Sequence, residues 1–450
     1  DPVGLHNYLS FGRLQSPQTI LGGISELKPA HYLLVSGGKV TEKRYWSPLS
    51  NYSPITSDIL SQVNESIRES IKIQMISDVS LGAFLSGCID SSVVTGILSQ
   101  FNATPVKTLS IVFNEREFDE SEYSRMIATR FATDHHVLCL TQNDLLNALP
   151  GAIMAMDQPT MDGINSFLIS KSARDAGLTV ALSGLGGDEL FGGYESFKMV
   201  PKLLLWERAI RALPKNIQTI AGQWVRILFQ ASDRNIKLAH FLDGRINGGH
   251  VYFLFRALFC LDQLDELLIN KEFIESGARF LNQASQDLMV ELDALEPLDQ
   301  VSYLEINHYT ANMLLRDTDV MSMANSLEVR VPLMDHKLVE LMFRIPGHLK
   351  IDPNVPKSLL IQAVSGGLPE KAIFRKKMGF TLPFDTWMRA QLKKEVETVL
   401  LTPLAKLEGI LSQTAINKIW KGFCDKKTSW SRPWSLYILK KWVDRNIRDN

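Results

Sequence analysis

Residues 86–92 read SGCIDSS and place hydroxyl groups, a glycine and one carboxylate within a short span. The span follows an apolar run at 81–85, with the length of a buried strand, and precedes apolar residues at helical spacing. At the start of a helix, free N–H groups and serine hydroxyls can bind a phosphate. The carboxylate of Asp90 would repel phosphates unless a metal ion lay between them. These residues therefore predict a magnesium pyrophosphate site.

An ordinary strand-to-helix turn is the alternative, because serine and glycine are common there and Asp90 could simply cap the helix. A second stretch favours the phosphate site. Residues 179–183 form another apolar run, which leads into GLGGDELFGGY at 184–194. In a parallel sheet both loops would lie at the carboxyl ends of their strands, where such folds bind ligands. Asp90 and Asp188 could then share one metal ion.

Strand-like and helix-like patterns alternate around these two loops. Strand candidates lie at 106–113 and 135–140, and helical patterns lie at 120–133, 145–156 and 166–176. This alternation predicts an α/β fold with a parallel sheet and helices on both faces. Residues 197–301 have a mostly helical pattern without a chemical signature.

Three further segments have patterns of their own. Residues 31–46 read as a hairpin around a Gly-Gly pair. A helix in the segment after residue 54 is expected to bury one face, made of Leu60, Val63, Ile67 and Ile71. A helix at 434–443 is expected to pack into the core through Leu436, Leu439, Trp442 and Val443.

The composition is that of a globular protein with two or three domains. The 450 residues include 48 basic and 49 acidic ones, so that no strong attraction to nucleic acid or membrane is expected, although a local charged patch stays open. Four cysteines without CxxC pairing argue against zinc and a disulfide scaffold and favour a reducing cytoplasm. We therefore expect a cytoplasmic protein with small-molecule substrates and neither nucleic acid nor membrane as partner.

Four blocks resemble the asparagine synthetase family, in the family's order. SGCIDSS resembles its pyrophosphate loop, and SGLGGDELFGGY is similar to its second signature. Two further blocks lie at 312–336 and at 357–383, the last with FRKKMGFTLP at its centre. The resemblance covers roughly residues 55–450. It implies a pyrophosphate-loop ATPase fold of the adenine nucleotide α-hydrolase type, with a helical C-terminal half.

The resemblance also implies a division into domains. Residues 51–450 would be an ATP-dependent synthetase domain, and residues 1–50 the remainder of an amino-terminal glutaminase domain plus a linker. The nucleophilic cysteine of that domain is expected to be missing, because the chain begins with Asp1. Leu5, Leu9 and Ile20 would then be partly uncovered and would favour association. A homodimer is one option.

The activity implied by the resemblance is that of a glutamine-hydrolysing asparagine synthetase, a carbon–nitrogen ligase. A carboxylate, first of all the side chain of aspartate, would attack ATP, release pyrophosphate and form an acyl-adenylate. Ammonia, free or derived from glutamine, would then give asparagine and AMP. Three alternatives stay open: an amidotransferase that acts on another carboxylate (a surface polysaccharide, a peptide or a secondary metabolite), a pyrophosphate-loop enzyme that modifies tRNA, and a pseudoenzyme.

The resemblance assigns roles to individual residues. Lys377 would be catalytic because its charge can neutralise the pyrophosphate leaving group, and Arg316 is a second catalytic candidate. A structural ion pair is an equal alternative for Arg316 and Glu328. Asp90 and Asp188 would hold Mg²⁺. The residues expected to bind ATP and its pyrophosphate are Leu85, Ser86, Gly87, Asp90, Ser91, Ser92, Ile111, Ser183 and Gly184.

Two positions depart from the family's pattern. Cys88 replaces a glycine of the pyrophosphate loop, so that phosphate binding could be weaker if the position needs glycine's backbone freedom or its lack of a side chain. Leu185 stands where well-studied members have a glutamate, or a tyrosine in β-lactam-forming relatives, that takes a proton from the attacking amine. Leucine cannot act as a base. Another group, or water, must then accept the proton, or the acceptor of the acyl group differs.

Overall fold

The computed structural model describes residues 1–50, 53–228, 232–246, 248–352, 354–364, 367–375, 377–379 and 381–447. Within them a five-stranded parallel sheet has the strand order β5-β4-β3-β6-β7, and a separate antiparallel hairpin joins β1 to β2. The strands are β1 His31–Ser36, β2 Lys39–Arg44, β3 Leu81–Phe84, β4 Lys107–Phe113, β5 Asp134–Leu140, β6 Val180–Leu182 and β7 Glu328–Arg330.

Helices surround the sheet and form most of the second half. The α-helices of the first half are α1 Pro2–Phe11, α2 Ile59–Gln74, α3 Ile89–Phe101, α4 Ser121–Arg130, α5 Gln142–Ala155, α6 Gly163–Asp175, α7 Gly187–Phe191, α8 Ser196–Arg211 and α9 Lys215–Leu228. Those of the second half are α10 Asp233–Asp243, α11 Val251–Arg256, α12 Leu261–Leu267, α13 Lys271–Leu292, α14 Pro297–Leu304, α15 Arg316–Met323, α16 His336–Arg344, α17 Gly347–Lys350, α18 Ser358–Ala363, α19 Glu370–Ile373, α20 Phe384–Arg389, α21 Lys393–Leu401, α22 Gln413–Cys424 and α23 Ser431–Asn446. A π-helix spans Glu305–Leu315, and short 3₁₀ turns span Arg116–Phe118, Pro332–Met334 and Ala405–Leu407. None of the helices in the described part of the chain is long and apolar enough to cross a membrane.

The strand order places the two candidate loops next to each other. From β3 the chain proceeds outward to β4 and β5 and then returns to β6 on the other side of β3. β3 and β6 are therefore neighbours at the point where the direction of winding reverses, and Leu81 pairs with Val180. In open parallel sheets this switch point opens a crevice at the carboxyl ends of the strands. Both candidate loops leave the sheet there.

The predicted α/β fold with a helical C-terminal half is confirmed. The expected strands and helices are present, with ends that move by a few residues. β7 was not predicted because it is only Glu-Val-Arg, which has no apolar run, and it is a strand only because β6 lies beside it. Residues 51 and 52, at the predicted domain boundary, lie outside the described residues.

The expected buried faces are largely correct. In α2, Val63, Ile67 and Ile71 are fully buried, whereas Leu60 is exposed, contrary to expectation, because it lies in the first turn. In α23 the expected inward side chains Leu436, Leu439, Trp442 and Val443 are all buried.

The amino-terminal segment packs into the main core, which corrects one expectation. Leu5, Leu9 and Ile20 are buried together with side chains of α5, α6 and α23 and are not partly uncovered. α1 also contacts α13 so closely that a Cβ on Gly277 would lie 2.1 Å from the ring of His6. The exposed large apolar side chains of this segment include several of the hairpin, such as Val35. The assignment of residues 1–50 to another domain stays a prediction.

Candidate active site

The loop between β3 and α3 is shaped by one glycine. Gly87 has a φ of +75°, and a Cβ there would lie 2.7 Å from the backbone of Tyr123 and Ser124. A side chain is excluded there by both the backbone angle and the lack of space. The loop turns so that the Ser86 and Ser91 hydroxyl oxygens lie 3.2 Å apart at the start of α3.

The loop between β6 and α7 packs against the first loop through two more glycines. A Cβ on Gly184 would lie 2.6 Å from the backbone nitrogen of Ser91. A Cβ on Gly187 would lie 2.1 Å from the Asp90 carboxylate oxygen Oδ1. The GLGG sequence therefore lets the second loop contact the first, and this brings Asp188 to the side of Asp90.

Two lysines lie among the two carboxylates. The ammonium group of Lys357 forms ion pairs with Asp90 and with Asp188, the latter with an Nζ–Oδ1 distance of 2.5 Å. The ammonium group of Lys377 lies 2.6 Å from the same Oδ1 of Asp188. Lys357 and Asp90 are buried, whereas the side chain of Lys377 is 45% exposed. Lys357 thus occupies the position between two carboxylates, and Lys377 faces solvent.

Burial and neighbouring charges have opposite effects on the pKa values of Asp90, Asp188 and Lys357. Burial raises the pKa of Asp90, and Lys357 offsets only part of this effect. Burial would also raise the pKa of Asp188, but Lys357 and Lys377 outweigh it and lower the pKa to about 2. Burial would lower the pKa of Lys357, but Asp188 and Asp90 together raise it above its ordinary value. Asp188 is therefore the more strongly ionised carboxylate, since it has two cations beside it.

The loop that carries Asp188 also holds the ammonium group of Lys377 at two further points. Lys377 Nζ donates to the carbonyl oxygen of Gly193 at 2.8 Å and lies 4.5 Å from the centre of the Tyr194 ring. An ammonium group at that distance from an aromatic ring is attracted to it. The Tyr194 hydroxyl donates to Glu189 at 2.9 Å. Residues of the segment 188–194 thus hold the ammonium group of Lys377 in place.

Glu189, next to Asp188 in the chain, lies in the protein interior. It is fully buried, and it also accepts a hydrogen bond from the Thr310 hydroxyl at 2.8 Å. Burial, with a contribution from the charge of Asp188, raises the pKa of Glu189 to about 7. Its contacts with Tyr194 and Thr310 fix the orientation of the ring that lies beside Lys377.

The donor set fits a hard divalent cation. Oδ1 of Asp90 is buried without a hydrogen-bond partner, as expected for an oxygen whose partner is a cation. Magnesium prefers one or two carboxylates and takes its remaining ligands from phosphate and water. Nowhere in the described residues do three or more His, Cys, Asp or Glu side chains form a metal-binding group. Asp90 and Asp188 can therefore hold Mg²⁺ only together with oxygen atoms of a ligand or of water.

Comparison with known proteins identifies the family. The family model described as asparagine synthase matches residues 62–444. The chain belongs to the asparagine synthase family. Membership supports an ATP-dependent ligase that forms amides, with ATP and small molecules as substrates.

The relatives are distant. Asparagine synthetase [glutamine-hydrolyzing] 1 of Bacillus subtilis (strain 168) is 26% identical over 456 residues, which are 99% of this chain and 69% of that protein. Asparagine synthetase [glutamine-hydrolyzing] 3 of the same strain is 26% identical over 98% of this chain and 67% of that protein. Amidase chyE of Penicillium rubens is 24% identical over 81% of this chain and 56% of that protein. The chain thus spans about two thirds of the length of the two synthetases.

The fold brings most of the residues expected for an asparagine synthase site to one place. The two loops that contact each other contain the two aspartates together with Ser86, Gly87, Ser91 and Gly184. Leu85 donates its N–H to the Leu109 carbonyl at 2.8 Å, which aligns it with β4, the strand that carries Ile111. Ser183 donates its N–H to the carbonyl of Arg330 at 2.8 Å. Ser92 differs, because its hydroxyl is buried without a partner inside α3.

Arg316 lies in a different set of contacts. Its guanidinium group forms ion pairs with Glu26 at 2.8 Å and with Asp157 at 2.7 Å. Glu328 pairs with Arg330 at 2.7 Å on β7. These contacts favour the structural alternative for both residues, and a catalytic role of Arg316 stays a prediction.

The two departures from the family's pattern have different structural consequences. Cys88 has a φ of −77° and a ψ of 163°, so the position does not need glycine's backbone freedom. Its side chain does occupy the loop: the Ser86 hydroxyl donates to Cys88 Sγ at 3.0 Å, and Ser91 Oγ lies 3.4 Å from the sulfur. Leu185 is half-buried and brings no titratable group to the site.

Lys357 is the site residue that sequence reasoning did not single out. It starts the fourth block of the family resemblance, but its charge had no partner nearby in sequence. It lies 267 positions from Asp90 along the chain. Its φ of +50°, unusual for a lysine, marks a backbone constraint at the start of α18 that no sequence pattern reveals.

Proposed function

We propose that this chain catalyses the ATP-dependent conversion of a carboxylate into an amide, with the side chain of aspartate as the expected acid. The acid attacks the α-phosphate of ATP, pyrophosphate leaves, and ammonia then attacks the acyl-adenylate to give asparagine and AMP. One observation carries this proposal. Asp90 and Asp188, from two loops at the switch point of the sheet, face each other with Lys357 between them and Lys377 beside them.

The first loop binds the pyrophosphate part of ATP in this proposal. The hydroxyls of Ser86 and Ser91 lie 3.2 Å apart at the start of α3, and pyrophosphate would occupy the space beside them and the first N–H groups of that helix. Bound Mg²⁺, held by Asp90 and Asp188, would neutralise phosphate charge at the edge of that space. The chain's own part is to position the in-line attack, since phosphoryl and adenylyl transfer depend mainly on positioning and charge neutralisation.

Lys377 supplies a positive charge on the solvent side. Its exposed ammonium group can reach the leaving pyrophosphate and the charge that develops on the acyl group. Asp188, Gly193 and Tyr194 hold this group before ATP arrives, so little reorganisation is needed. Lys357, in contrast, is buried and keeps two carboxylates close together at a low electrostatic cost.

This chain differs from family members with a glutamate or tyrosine at the position of Leu185 in the group that accepts a proton from the attacking ammonia. Ammonia that attacks the acyl-adenylate must lose a proton after the C–N bond forms. Since leucine cannot accept it, water or another group must do so. This feature, with a relative named an amidase, favours a second candidate, an amidotransferase that acts on a different carboxylate.

Pyrophosphate release tests both candidates. The 450-residue chain is incubated with ATP, Mg²⁺, ammonium and a panel of acids that includes aspartate, and pyrophosphate and AMP are measured. Release that depends on aspartate and yields asparagine supports the first candidate, whereas release with another acid alone supports the second. Release that requires tRNA, or none with any acid while ATP still binds, contradicts both. The Asp188→Asn variant serves as the background.

A further inference from the structure

An exposed apolar stripe runs along α9. Its exposed large apolar side chains are Ile217, Ile220, Trp224, Ile227 and Leu228, of which Trp224 is 56% and Ile227 77% exposed. Their spacing places them on one side of the helix. The helix buries a different side, formed by Gln218, Gly222 and Val225. The stripe is therefore not the face through which α9 packs against the protein.

The preceding helix also exposes apolar side chains. In α8, Leu205 is 64% exposed and Trp206 is 61% exposed, and Leu213 in the connection to α9 is also exposed. Single exposed apolar residues are normal on protein surfaces, but a run with two tryptophans marks an interaction site. We define the α8–α9 surface by Leu205, Trp206, Leu213 and the exposed stripe of α9.

The chain segment that forms α8 and α9 has a large excess of basic residues. Residues 198–228 contain six basic residues and one acidic residue, in a chain whose net charge is −1. Arg226 is paired with Asp243 and Arg211 with Glu207. The described contacts include no ion pair of Lys198, Lys202 or Arg208, which are all exposed on α8. Three cations next to the apolar side chains thus face solvent.

We propose that the α8–α9 surface binds an anionic lipid bilayer. Tryptophans, branched apolar side chains and unpaired lysines next to one another are typical of helices that lie in the plane of a membrane surface. Protein–protein interfaces, in contrast, are depleted in lysine. α9 has 14 residues and is about 21 Å long, so that its apolar stripe can lie along a bilayer surface. The proposal concerns a protein resting on the bilayer, since none of the described helices can cross it.

The α8–α9 surface is connected directly to the candidate site. α8 begins at Ser196, two residues after Tyr194, and the Ser196 hydroxyl donates to buried Glu305 at 2.5 Å. One continuous helix thus joins the loop that holds Lys377 to the apolar surface. A bilayer contact would hold the mouth of the site at a fixed position near the membrane, whatever acid the enzyme amidates.

Vesicle flotation tests the proposal. The 450-residue chain is mixed with vesicles of equal parts phosphatidylcholine and phosphatidylglycerol, or of phosphatidylcholine alone, and centrifuged through a density gradient. We expect flotation with the anionic vesicles and little with the neutral ones, and weaker binding at about 0.5 M salt. The double variant Trp224→Ser/Ile227→Ser should bind at least about ten-fold more weakly, because less apolar surface enters the bilayer.

Matched variants test whether vesicle binding depends on the α8–α9 surface or on any exposed apolar side chain. Val35→Ser/Ile76→Ser removes two apolar side chains elsewhere, which are 69% and 76% exposed, and should float like the parent. Lys198→Ser/Lys202→Ser should lose binding to the anionic vesicles. Absent flotation of the parent, or unchanged flotation of the Trp224→Ser/Ile227→Ser variant, would overturn the proposal. A third result would also overturn it. If the parent chain fails to float, is a dimer in light scattering and becomes a monomer with the same two substitutions, the surface joins two copies of the chain.

Discussion

Lys357 places its ammonium nitrogen 2.5 Å from the carboxylate of Asp188 and also pairs with Asp90, the two aspartates that would hold a metal ion. A buried lysine at this point has a direct electrostatic consequence. Without it, buried Asp90 and largely buried Asp188 would be neighbouring carboxylates, and of their described ion pairs the one between Asp188 and Lys377 would remain. Lys357 and a divalent cation would therefore both neutralise the charges of Asp90 and Asp188.

Replacing Lys357 by Met should destabilise the protein in the absence of metal by about 3 kcal/mol, because buried carboxylates lose their partner. Mg²⁺ should restore part of the loss, since a cation that binds only the folded state stabilises it. Thermal unfolding with and without MgCl₂ measures both effects. Lys371→Met is the control, because Lys371 pairs with Glu122 at the surface. Equal stability of parent and Lys357→Met without metal would contradict the role of Lys357.

Replacing Asp188 or Asp90 by Asn should lower the rate of pyrophosphate release at least about 100-fold, because a hard anionic ligand is lost. The fold should survive, since asparagine has the same shape and stays beside Lys357. Circular dichroism checks the fold, and Glu328→Gln, at an exposed ion pair, is the control for a lost carboxylate. Normal turnover of Asp188→Asn would rule out a shared metal ion.

Replacing Lys377 by Ala should lower kcat far more than it raises KM for ATP, because its charge acts mainly in the transition state. Tyr194→Leu should have a smaller effect in the same direction, since it removes only the ring beside the ammonium group, whereas Tyr194→Phe keeps the ring. Steady-state kinetics at saturating ammonium gives both constants. If KM alone changed in Lys377→Ala, Lys377 would be a binding residue.

The sequence was sufficient to predict the fold because its apolar runs and helical spacings agree with the buried faces of the structure. Val63 and Ile67 show this in α2, and Leu436 and Trp442 show it in α23. It was not sufficient for Leu60 or for β7. In both cases the outcome depends on which neighbour lies alongside, and the residue pattern does not contain that information.

The candidate site was partly predictable for a similar reason. Asp90 and Asp188 could be paired from sequence, because parallel strands end at the same edge and each aspartate follows one of them. Lys357 could not, since its approach depends on the packing of α18 against the two loops. The buried positions of Leu5 and Leu9 were also unpredictable, because they depend on contacts with helices more than a hundred residues away.

Buried neutral histidines should make the protein acid-sensitive. Burial lowers the pKa of His6 and, with a contribution from Arg211, that of His250, each to about 4, against 6.5 as the ordinary value. The unfolded chain binds protons below pH 6.5 and the folded protein does not, so stability is fully present above pH 6.5 and falls as the pH drops toward 4. Each histidine should contribute up to about 3 kcal/mol to this loss.

Urea unfolding at pH 7.5 and at pH 5 measures the part of that loss that occurs above pH 5, about 2 kcal/mol for each histidine. The His250→Gln variant should lose less stability between the two pH values than the parent, whatever its stability at pH 7.5. His136→Gln, whose ring is half exposed beside Asp134, should follow the parent. Parallel losses in the parent and in His250→Gln would show that His250 does not carry the acid sensitivity.

Replacing Cys88 by Gly should leave ATP binding at least as tight as in the parent. The sulfur lies 3.0 Å from the Ser86 hydroxyl and 3.4 Å from that of Ser91, in the space assigned above to pyrophosphate, so glycine removes both contacts with the sulfur. Because Cys88 has an ordinary extended backbone, the benefit should come from the lost side chain alone, and Cys88→Ala should give most of it. Isothermal titration with ATP and Mg²⁺ gives the Kd of each variant. Cys424→Ala, at an exposed cysteine, controls for loss of a thiol. A clearly higher Kd in Cys88→Gly would mean that the thiol helps to shape the loop, and that its presence there is favourable for ATP binding.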